Sequence, residues 1–500
     1  MNPIQQGIDA LILDPTALIC MAIGLGLGLL VGLFPGITIS MAVALATGFT
    51  MTLEPAQGLA MLLSIYVAAQ YGDRIPSILV NTPGTPAAVA TTLDGYPMAK
   101  KGQGGLALSI SAIATTVGIL MSMVVFMTLA QPIASLALKF GPFEMFALVC
   151  FGLTIIISIA SRSVAKGLLG GLIGLGLAAV GLDPITADER FTFGSQEMTG
   201  GFDFIALIIG LFGITEVLDQ ILTYHASKVR PISSLGRWWP NKSEFKRIAK
   251  PMALSGLLGI GIGIVPAAGG DIAGLIGWNR AKAISKHPEE FGKGSIEGLV
   301  GSDTASSSTL GGALTTTLSL GIPGDSVMAI MIGSMVIWGI QPGPSLFERH
   351  PDLVVTIATI MIAATIVSTI VSLVRTKAMT KLLDLKPQFI WGIILVFCIV
   401  GVYATTNNVM TVVQMLLFGL LGLAFRRVGV PAGPVVLGFI LGPLAESNLR
   451  RALLIDDVTG FLTRPIAIVL LVLAVASLVW PMIRDARNKR RTMAVDGLVE

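Results

Sequence analysis

The sequence predicts an all-α polytopic membrane protein of about 11–15 transmembrane segments. It further predicts two inverted repeats, each with Pro/Gly-broken helices or re-entrant hairpins that meet near the membrane midplane. Three observations carry this: an apolar composition, an alternation of basic and acidic connections, and four helix-breaking motifs that recur as two pairs. The chain has 500 residues and is 53% hydrophobic, or about 265 apolar positions. Charged residues make up 12%, against roughly 25% in a soluble domain, and the mean hydropathy is +0.83. A bilayer-spanning helix needs roughly 20 apolar residues, so this supply covers about 13 spans at most. The formal charge, 33 − 29 = +4, is too small for a polyanion-binding protein. Together these values exclude a water-soluble enzyme, a disordered scaffold and a nucleic-acid binder.

The first element follows from its flanks. The opening stretch, residues 1–14, carries no basic residue, so it lacks the charged region of a cleavable signal peptide and the first apolar run is expected to stay as a span. Cys20, Cys150 and Cys398 sit in separate apolar runs with no CxxC pair, which offers neither a disulfide framework nor a metal site. His225, His287 and His350 fall in polar connections, so no relay through intramembrane histidines is expected. Orientation comes from the basic residues. None precedes Arg74, and they cluster at Lys100-Lys101, Arg162 to Lys166, Lys228 to Lys250, Arg375 to Lys386, Arg426-Arg427 and Arg484 to Arg491. The stretch Asp183 to Arg190 is acidic instead. Basic sets inside and the acidic set outside place the N-terminus in the periplasm and the C-terminus in the cytoplasm of a bacterial inner membrane. The connection 280–293, with Arg280, Lys282, Lys286 and Lys293, falls outside and is the exception.

Glycine (58) and proline (26) are abundant, and most of the glycines read as close helix packing through small residues. Four places differ. They are Gly32-Leu-Phe-Pro-Gly-Ile37, Asn81-Thr-Pro-Gly-Thr-Pro86, Gly263-Ile-Val-Pro-Ala-Ala-Gly-Gly-Asp271 and Gly321-Ile-Pro-Gly-Asp325. Pro35 and Pro83 stand 48 residues apart, Pro266 and Pro323 57 apart, and the polar insert His287 to Ser295 matches the difference. This predicts a duplication of roughly 17–140 against 252–375. The organisation that follows is a first inverted repeat over 1–140, broken at 32–37 and 81–86. Connecting helices cover 141–227 and a basic cytoplasmic loop 228–251. The second repeat, 252–375, is broken at 263–271 and 321–325. C-terminal helices over 376–483 and a cytoplasmic tail over 484–500 complete the chain.

Inverted repeats with matching broken segments point to a secondary transporter with a midplane site. A broken helix frees backbone N–H and C=O groups that hydrocarbon cannot satisfy, and a half-helix N-terminus is a ready anion site. The expected substrate-binding residues are therefore Pro35, Gly36, Arg74, Asn81, Thr82, Pro83, Gly84, Thr85, Ser306, Ser307, Ser308, Pro323 and Gly324. Charges in the apolar zone are expensive and mark function. Asp73, Asp271, Asp303 and Asp325 are accordingly the candidates for the coupling ion, Na+ or H+. No other cofactor, no enzyme activity and no further metal are expected.

At this point the motifs resemble a known family. The run Tyr71-Gly-Asp-Arg-Ile-Pro-Ser-Ile-Leu-Val-Asn-Thr-Pro-Gly-Thr-Pro-Ala-Ala-Val-Ala-Thr-Thr-Leu-Asp-Gly-Tyr-Pro97 resembles the signature of the large membrane subunit of the tripartite tricarboxylate transporters (TctA-like). So do Phe291-Gly-Lys-Gly-Ser-Ile-Glu-Gly298, Leu320 to Gly324, Gly339 to Pro344, Lys166-Gly167, Gly181-Leu-Asp-Pro184, Arg190-Phe-Thr-Phe-Gly194 and Leu441 to Arg450. The resemblance spans nearly the whole chain. It implies uptake of a tricarboxylate, dicarboxylate or related organic acid driven by a cation gradient. It also implies a small four-helix membrane subunit (TctB-like) and a periplasmic solute-binding protein (TctC-like) as partners. The chain has no GxxxxGK[ST] motif, in keeping with ion coupling. It departs from the family's usual Tyr-Gly-Gly-Ser at Tyr71-Gly-Asp73-Arg74. It departs again at Ser302-Asp-Thr-Ala-Ser-Ser307 and at Pro323-Gly-Asp325. These changes fall at the expected site and leave the identity of the carboxylate open.

Two other readings are carried. One is a carboxylate transporter that works without a binding protein. The other is an intramembrane aspartyl protease, because Tyr71-Gly-Asp73 and Ala268-Gly-Gly-Asp271 roughly match the paired motifs of such enzymes. A Gly separates Tyr71 from Asp73, and Ala268 stands where that enzyme needs Gly.

Overall fold

Small residues decide how the first long helix packs. On Pro15–Leu33 the buried residues are Ala17, Cys20, Gly24, Leu25, Gly28, Leu29, Gly32 and Leu33, while Leu18, Ile19, Ile23, Leu27 and Leu30 are exposed. Large apolar residues on the outer side suit a lipid surround, and the buried glycines permit the close backbone approach that drives association there. Its partner is Pro55–Gly72. A Cβ on Gly28 would stand 2.5 Å from the Ile65 carbonyl oxygen, and one on Gly32 2.6 Å from that of Ala69.

The computed structural model describes residues 3–34, 37–160, 163–183, 186–223, 235–266, 269–380 and 387–479. The protein is an all-α polytopic membrane protein. Seven helices among the described residues are long and apolar enough to cross a membrane: Pro15–Leu33, Pro86–Ala137, Phe204–Thr223, Lys242–Ile264, Pro351–Val374, Val409–Val428 and Ala432–Ile455. Six shorter apolar helices accompany them, including Ile39–Thr50, Val164–Ala178 and Ser326–Ile337. The described strands are a two-residue pair, with Gly181 opposite Arg190 and Leu182 opposite Glu189.

The chain divides into two units. One comprises 1–138 with 208–420, the other 139–207 with 421–500. In the second unit Val164–Ala178 packs on Ala432–Ile455, far away in sequence. A Cβ on Gly438 would stand 3.0 Å from the Leu175 backbone nitrogen.

In the first unit one order of elements occurs twice. The first run is Pro15–Leu33, Ile39–Thr50, Pro55–Gly72 continued by Arg74–Leu79, Val89–Met98 and Gly104–Ala137. The second is Lys242–Ile264, Gly270–Ile284, Ile296–Leu320, Ser326–Ile337 and Pro351–Thr380. Their packing partners correspond. Pro15–Leu33 lies on Pro55–Gly72 as Lys242–Ile264 lies on Ile296–Leu320. Ile39–Thr50 touches Ser326–Ile337 as Gly270–Ile284 touches Val89–Met98. The helix Lys242–Ile264 starts inside the stretch expected as a loop over 228–251, because Asn241 and Glu244 form a reciprocal capping box at its N-terminus. Residues 224–234 of that region, and the tail over 484–500, lie outside the described residues.

Ile296–Leu320 is the core helix of this unit, buried from Ile296 to Ser319 although rich in Ser and Thr. Many hydroxyls turn back onto their own helix. Thr309 donates to the Ser306 carbonyl at 2.7 Å and Thr315 to that of Gly311 at 2.7 Å, which satisfies them without water. Gly104–Ala137 packs against this helix, and a Cβ on Gly311 would stand 2.5 Å from the Ser122 carbonyl carbon.

Candidate functional site

The site begins where the helix Pro55–Gly72 breaks. Pro76 has no N–H to give to the Gly72 carbonyl, so the helix kinks at Asp73 and resumes as Arg74–Leu79. Ser77 Oγ donates to the Asp73 carbonyl at 2.6 Å. The segment that follows turns through Asn81, whose φ is +59°, a conformation Asn tolerates better than most residues. It then returns to Asp73. Thr85 Oγ1 donates to Asp73 Oδ2 at 2.5 Å. Gly84 lies so close that a Cβ there would stand 2.5 Å from the Gly32 carbonyl oxygen and 3.0 Å from Asp73 Cβ.

Asp73 is fully buried and Arg74 is 2% exposed. The guanidinium is enclosed by its own chain. Nε stands 3.6 Å from Asp73 Oδ1 and 3.5 Å from Asp303 Oδ1. Nη2 donates to Ser306 Oγ at 2.6 Å and Gln70 Oε1 at 3.4 Å, and Nη1 to Thr91 Oγ1 at 3.3 Å. Asp303, also fully buried, accepts from Thr91 Oγ1 and Ser111 Oγ, both at 2.5 Å. The cluster joins residues of the first run, Asp73, Arg74, Thr91 and Ser111, to Asp303 and Ser306 of the second.

The remaining breaks lie beside this cluster. Gly270 approaches the Ser306 carbonyl and Ala87, such that a Cβ would meet them at 3.1 and 3.3 Å. A Cβ on Gly269 would stand 3.7 Å from Asp325 Cβ. Asp325 caps the helix Ser326–Ile337, accepting from the Met328 N–H at 2.8 Å, and also accepts from the Tyr66 hydroxyl. Asp271 is exposed in the first turn of Gly270–Ile284, close enough to Asp325 for their charges to interact.

The expected residues are thus distributed unevenly. Arg74, Asp73, Thr85, Gly84, Asp303 and Ser306 come together. Asn81 is exposed, with Thr82 and Pro83 half-buried beside it. Ser308 points away, donating to the Gly256 carbonyl at 2.9 Å, and Ser307 lies against Gly118. Gly324 packs on Ala313, and its N–H is taken by Thr317 Oγ1 at 3.1 Å. Pro323 lies buried in the same turn. Pro35 and Gly36 lie outside the described residues. Gln70, Thr91, Ser111 and Tyr66 belong to the site without having been expected. Their only sequence signal is a polar group in an apolar window, which dozens of other Ser and Thr share.

Chemically, two buried carboxylates, Asp73 and Asp303, face one guanidinium, while Asp271 and Asp325 lie beside them, close enough for their charges to act on each other. Asp73 Oδ1 and Arg74 Nε are buried without a hydrogen-bond partner, and so are groups with capacity to spare. Removing a lone charge from water is costly unless it is compensated, so the excess negative charge calls for a proton or a cation. Among the described residues no group of three His, Cys, Asp or Glu converges on a metal position. Asp73 is engaged by Arg74 and Thr85, and Asp271 lies near enough for its charge to act on Asp73.

A second buried carboxylate is fully occupied. Asp94 Oδ1 accepts from the backbone N–H groups of Gly292, Gly294 and Ser295 at 2.9, 2.9 and 2.8 Å, and Oδ2 from Trp278 Nε1 at 2.7 Å. It fastens the helix Val89–Met98 to the connection ahead of Ile296–Leu320.

The family model described as "Tripartite tricarboxylate transporter TctA family" matches residues 18–437. The chain is 36% identical over 486 residues to the "Uncharacterized 52.8 kDa protein in TAR-I ttuC' 3'region" of Agrobacterium vitis, covering 97% of each. It is 34% identical over 237 residues to the "Uncharacterized protein in TAR-II ttuC' 3'region" of the same organism, covering 47% of this chain and 98% of that protein. No solved structure matches.

Proposed function

The chain belongs to the tripartite tricarboxylate transporter TctA family, and from that premise we propose that it imports an organic carboxylate by symport with Na+ or H+. In this reading it is the large transmembrane subunit of a bacterial inner-membrane system. It works with a small four-helix subunit and a periplasmic solute-binding protein. The observation that carries the reading is the buried guanidinium of Arg74, held between Asp73 and Asp303 where the broken helices meet. A planar guanidinium fork matches a carboxylate, and Asp303 is the internal carboxylate with which a substrate would compete. Since Arg74 and Asp303 sit on different runs, exchanging that partner loosens the seam between them. The four acidic groups supply the positions at which a coupling cation or proton would balance the charge.

The test is uptake by proteoliposomes holding this chain and its small subunit, with the purified solute-binding protein of the same system outside. Labelled di- and tricarboxylates should accumulate only when binding protein and an inward cation gradient are both present. Uptake that ignores the binding protein would favour the carrier that works alone. Uptake that ignores both gradients would remove the symport reading.

The two runs are read as inverted repeats, with the N-terminus periplasmic and the C-terminus cytoplasmic. The basic connections and the corresponding element order support this. Labels placed within 228–250 and in the C-terminal tail should report the cytoplasm in intact cells, and a label at 186–189 the periplasm. Reaction of 228–250 with an impermeant external reagent would reverse the assignment.

A further inference from the structure

Three of the family-like motifs play no part in the Arg74 cluster, and they converge in the second unit. Asp183, from Gly181-Leu-Asp-Pro184, Arg190, from Arg190-Phe-Thr-Phe-Gly194, and Glu446 with Arg450, from Leu441 to Arg450, form one closed network. Arg190 makes a forked pair with Glu446, Nη1 to Oε2 at 3.1 Å and Nη2 to Oε1 at 2.9 Å, and also donates to Asp183. Arg450 Nη2 stands 3.0 Å from Asp183 and 2.6 Å from Glu446. Two guanidinium groups and two carboxylates balance. The network fastens the paired strands Gly181–Leu182 and Glu189–Arg190 to the helix Ala432–Ile455.

What this mount carries is unusual. Phe191 and Phe193 are 64% and 92% exposed, although Thr192 between them is buried and donates to Glu189 at 2.8 Å. Both phenylalanines have positive φ, +52° and +50°, a region bulky residues rarely occupy. The chain therefore spends conformational energy to turn two apolar rings outward on a rigid base. Three exposed carboxylates, Asp188, Glu189 and Glu197, lie within five residues of one or the other in the chain.

We propose that this Phe-Thr-Phe hairpin is the docking point for the solute-binding protein, which would present an apolar pocket rimmed by Lys or Arg. The inference rests on the transport reading above and on its placement of 186–189 outside. The charge pattern argues for a protein and against lipid. Phenylalanine lacks the polar handle of Tyr and Trp, the aromatics enriched at the membrane interface, and the neighbouring charges are acidic where segments lying on a membrane carry Lys and Arg. Rigid aromatic anchors with a charged rim are the usual anatomy of a protein contact, and preorganisation lowers the cost of binding.

The experiment uses the complete system in proteoliposomes and titrates the purified solute-binding protein. The double variant Phe191→Ala/Phe193→Ala should raise its half-saturating concentration at least tenfold and leave the rate at saturation unchanged. Asp188→Lys/Glu197→Lys should raise it too and invert its dependence on ionic strength. Phe193→Trp should retain docking. An unchanged half-saturating concentration in both double variants, with uptake still requiring the binding protein, would overturn the docking inference alone. Uptake that never requires the binding protein would overturn both. Added quenching of Phe193→Trp by spin labels within the bilayer, relative to the unmodified protein, would place the hairpin in lipid and overturn the docking assignment.

Discussion

Arg74→Ala is expected to reduce uptake by well over tenfold and to destabilise the folded protein by about 3–5 kcal/mol, the usual cost of stripping one partner from a buried charge pair. The loss leaves Asp73 and Asp303 buried with no countercharge, and Ser306 and Thr91 without their guanidinium partner. Arg74→Lys keeps the charge but loses the fork, so it should recover stability more fully than transport. The decisive measurement adds Asp303→Asn to Arg74→Ala. Removing the second charge relieves the electrostatic penalty, so thermal stability should return in part. If uptake returns with it, Arg74 serves only the fold. If stability returns and uptake does not, the guanidinium acts on the transported anion.

Asp94→Ala should be comparably severe for a different reason. Three backbone N–H groups and one indole N–H lose their acceptor at once, and each buried orphan costs about 1–3 kcal/mol. The glycines on either side of Lys293 let the connection relax, so a total of about 3–5 kcal/mol is expected. Asp94→Asn should lose about half as much. Its amide oxygen can still accept from the three backbone groups, but its NH2 would face the Trp278 N–H, donor against donor. Thermal unfolding of the purified protein in one detergent ranks the three. Equal stability of Asp94→Asn and Asp94→Ala would show that the three backbone bonds contribute nothing measurable.

The interruptions at 81–86 and 321–325 were legible in the sequence because their cause is local: Pro83 and Pro323 lack an N–H, and Gly84 and Gly324 admit approaches that a Cβ would block. The kink at Asp73 was not expected, although its cause, Pro76, is equally local. The run Ser306 to Ser308 was legible only as a set. Successive helical residues point about 100° apart, so when Ser306 meets Arg74 its neighbours must face other helices, and Ser308 duly bonds to Gly256. The donors that hold Asp94 could not be read from the sequence, for Gly292 to Ser295 lie some 200 residues away. The division into units was not legible either, since residues 139–207 join a segment that begins only at 421.

By itself the sequence determined the solvent this protein lives in, the family it belongs to, Pro/Gly segments that interrupt its helices, and the charges that would be costly if left alone. Those properties follow from composition and from chemistry within a few residues. Only the tertiary structure decided the partners: Arg74 with Asp303 and Ser306, Tyr66 with Asp325, Arg190 with Glu446, and two phenylalanines left facing outward. Hydrogen bonds and ion pairs act over about 3 Å and depend on direction, so their partners are chosen by which helices lie side by side, and that choice is made by small-residue packing between segments hundreds of positions apart.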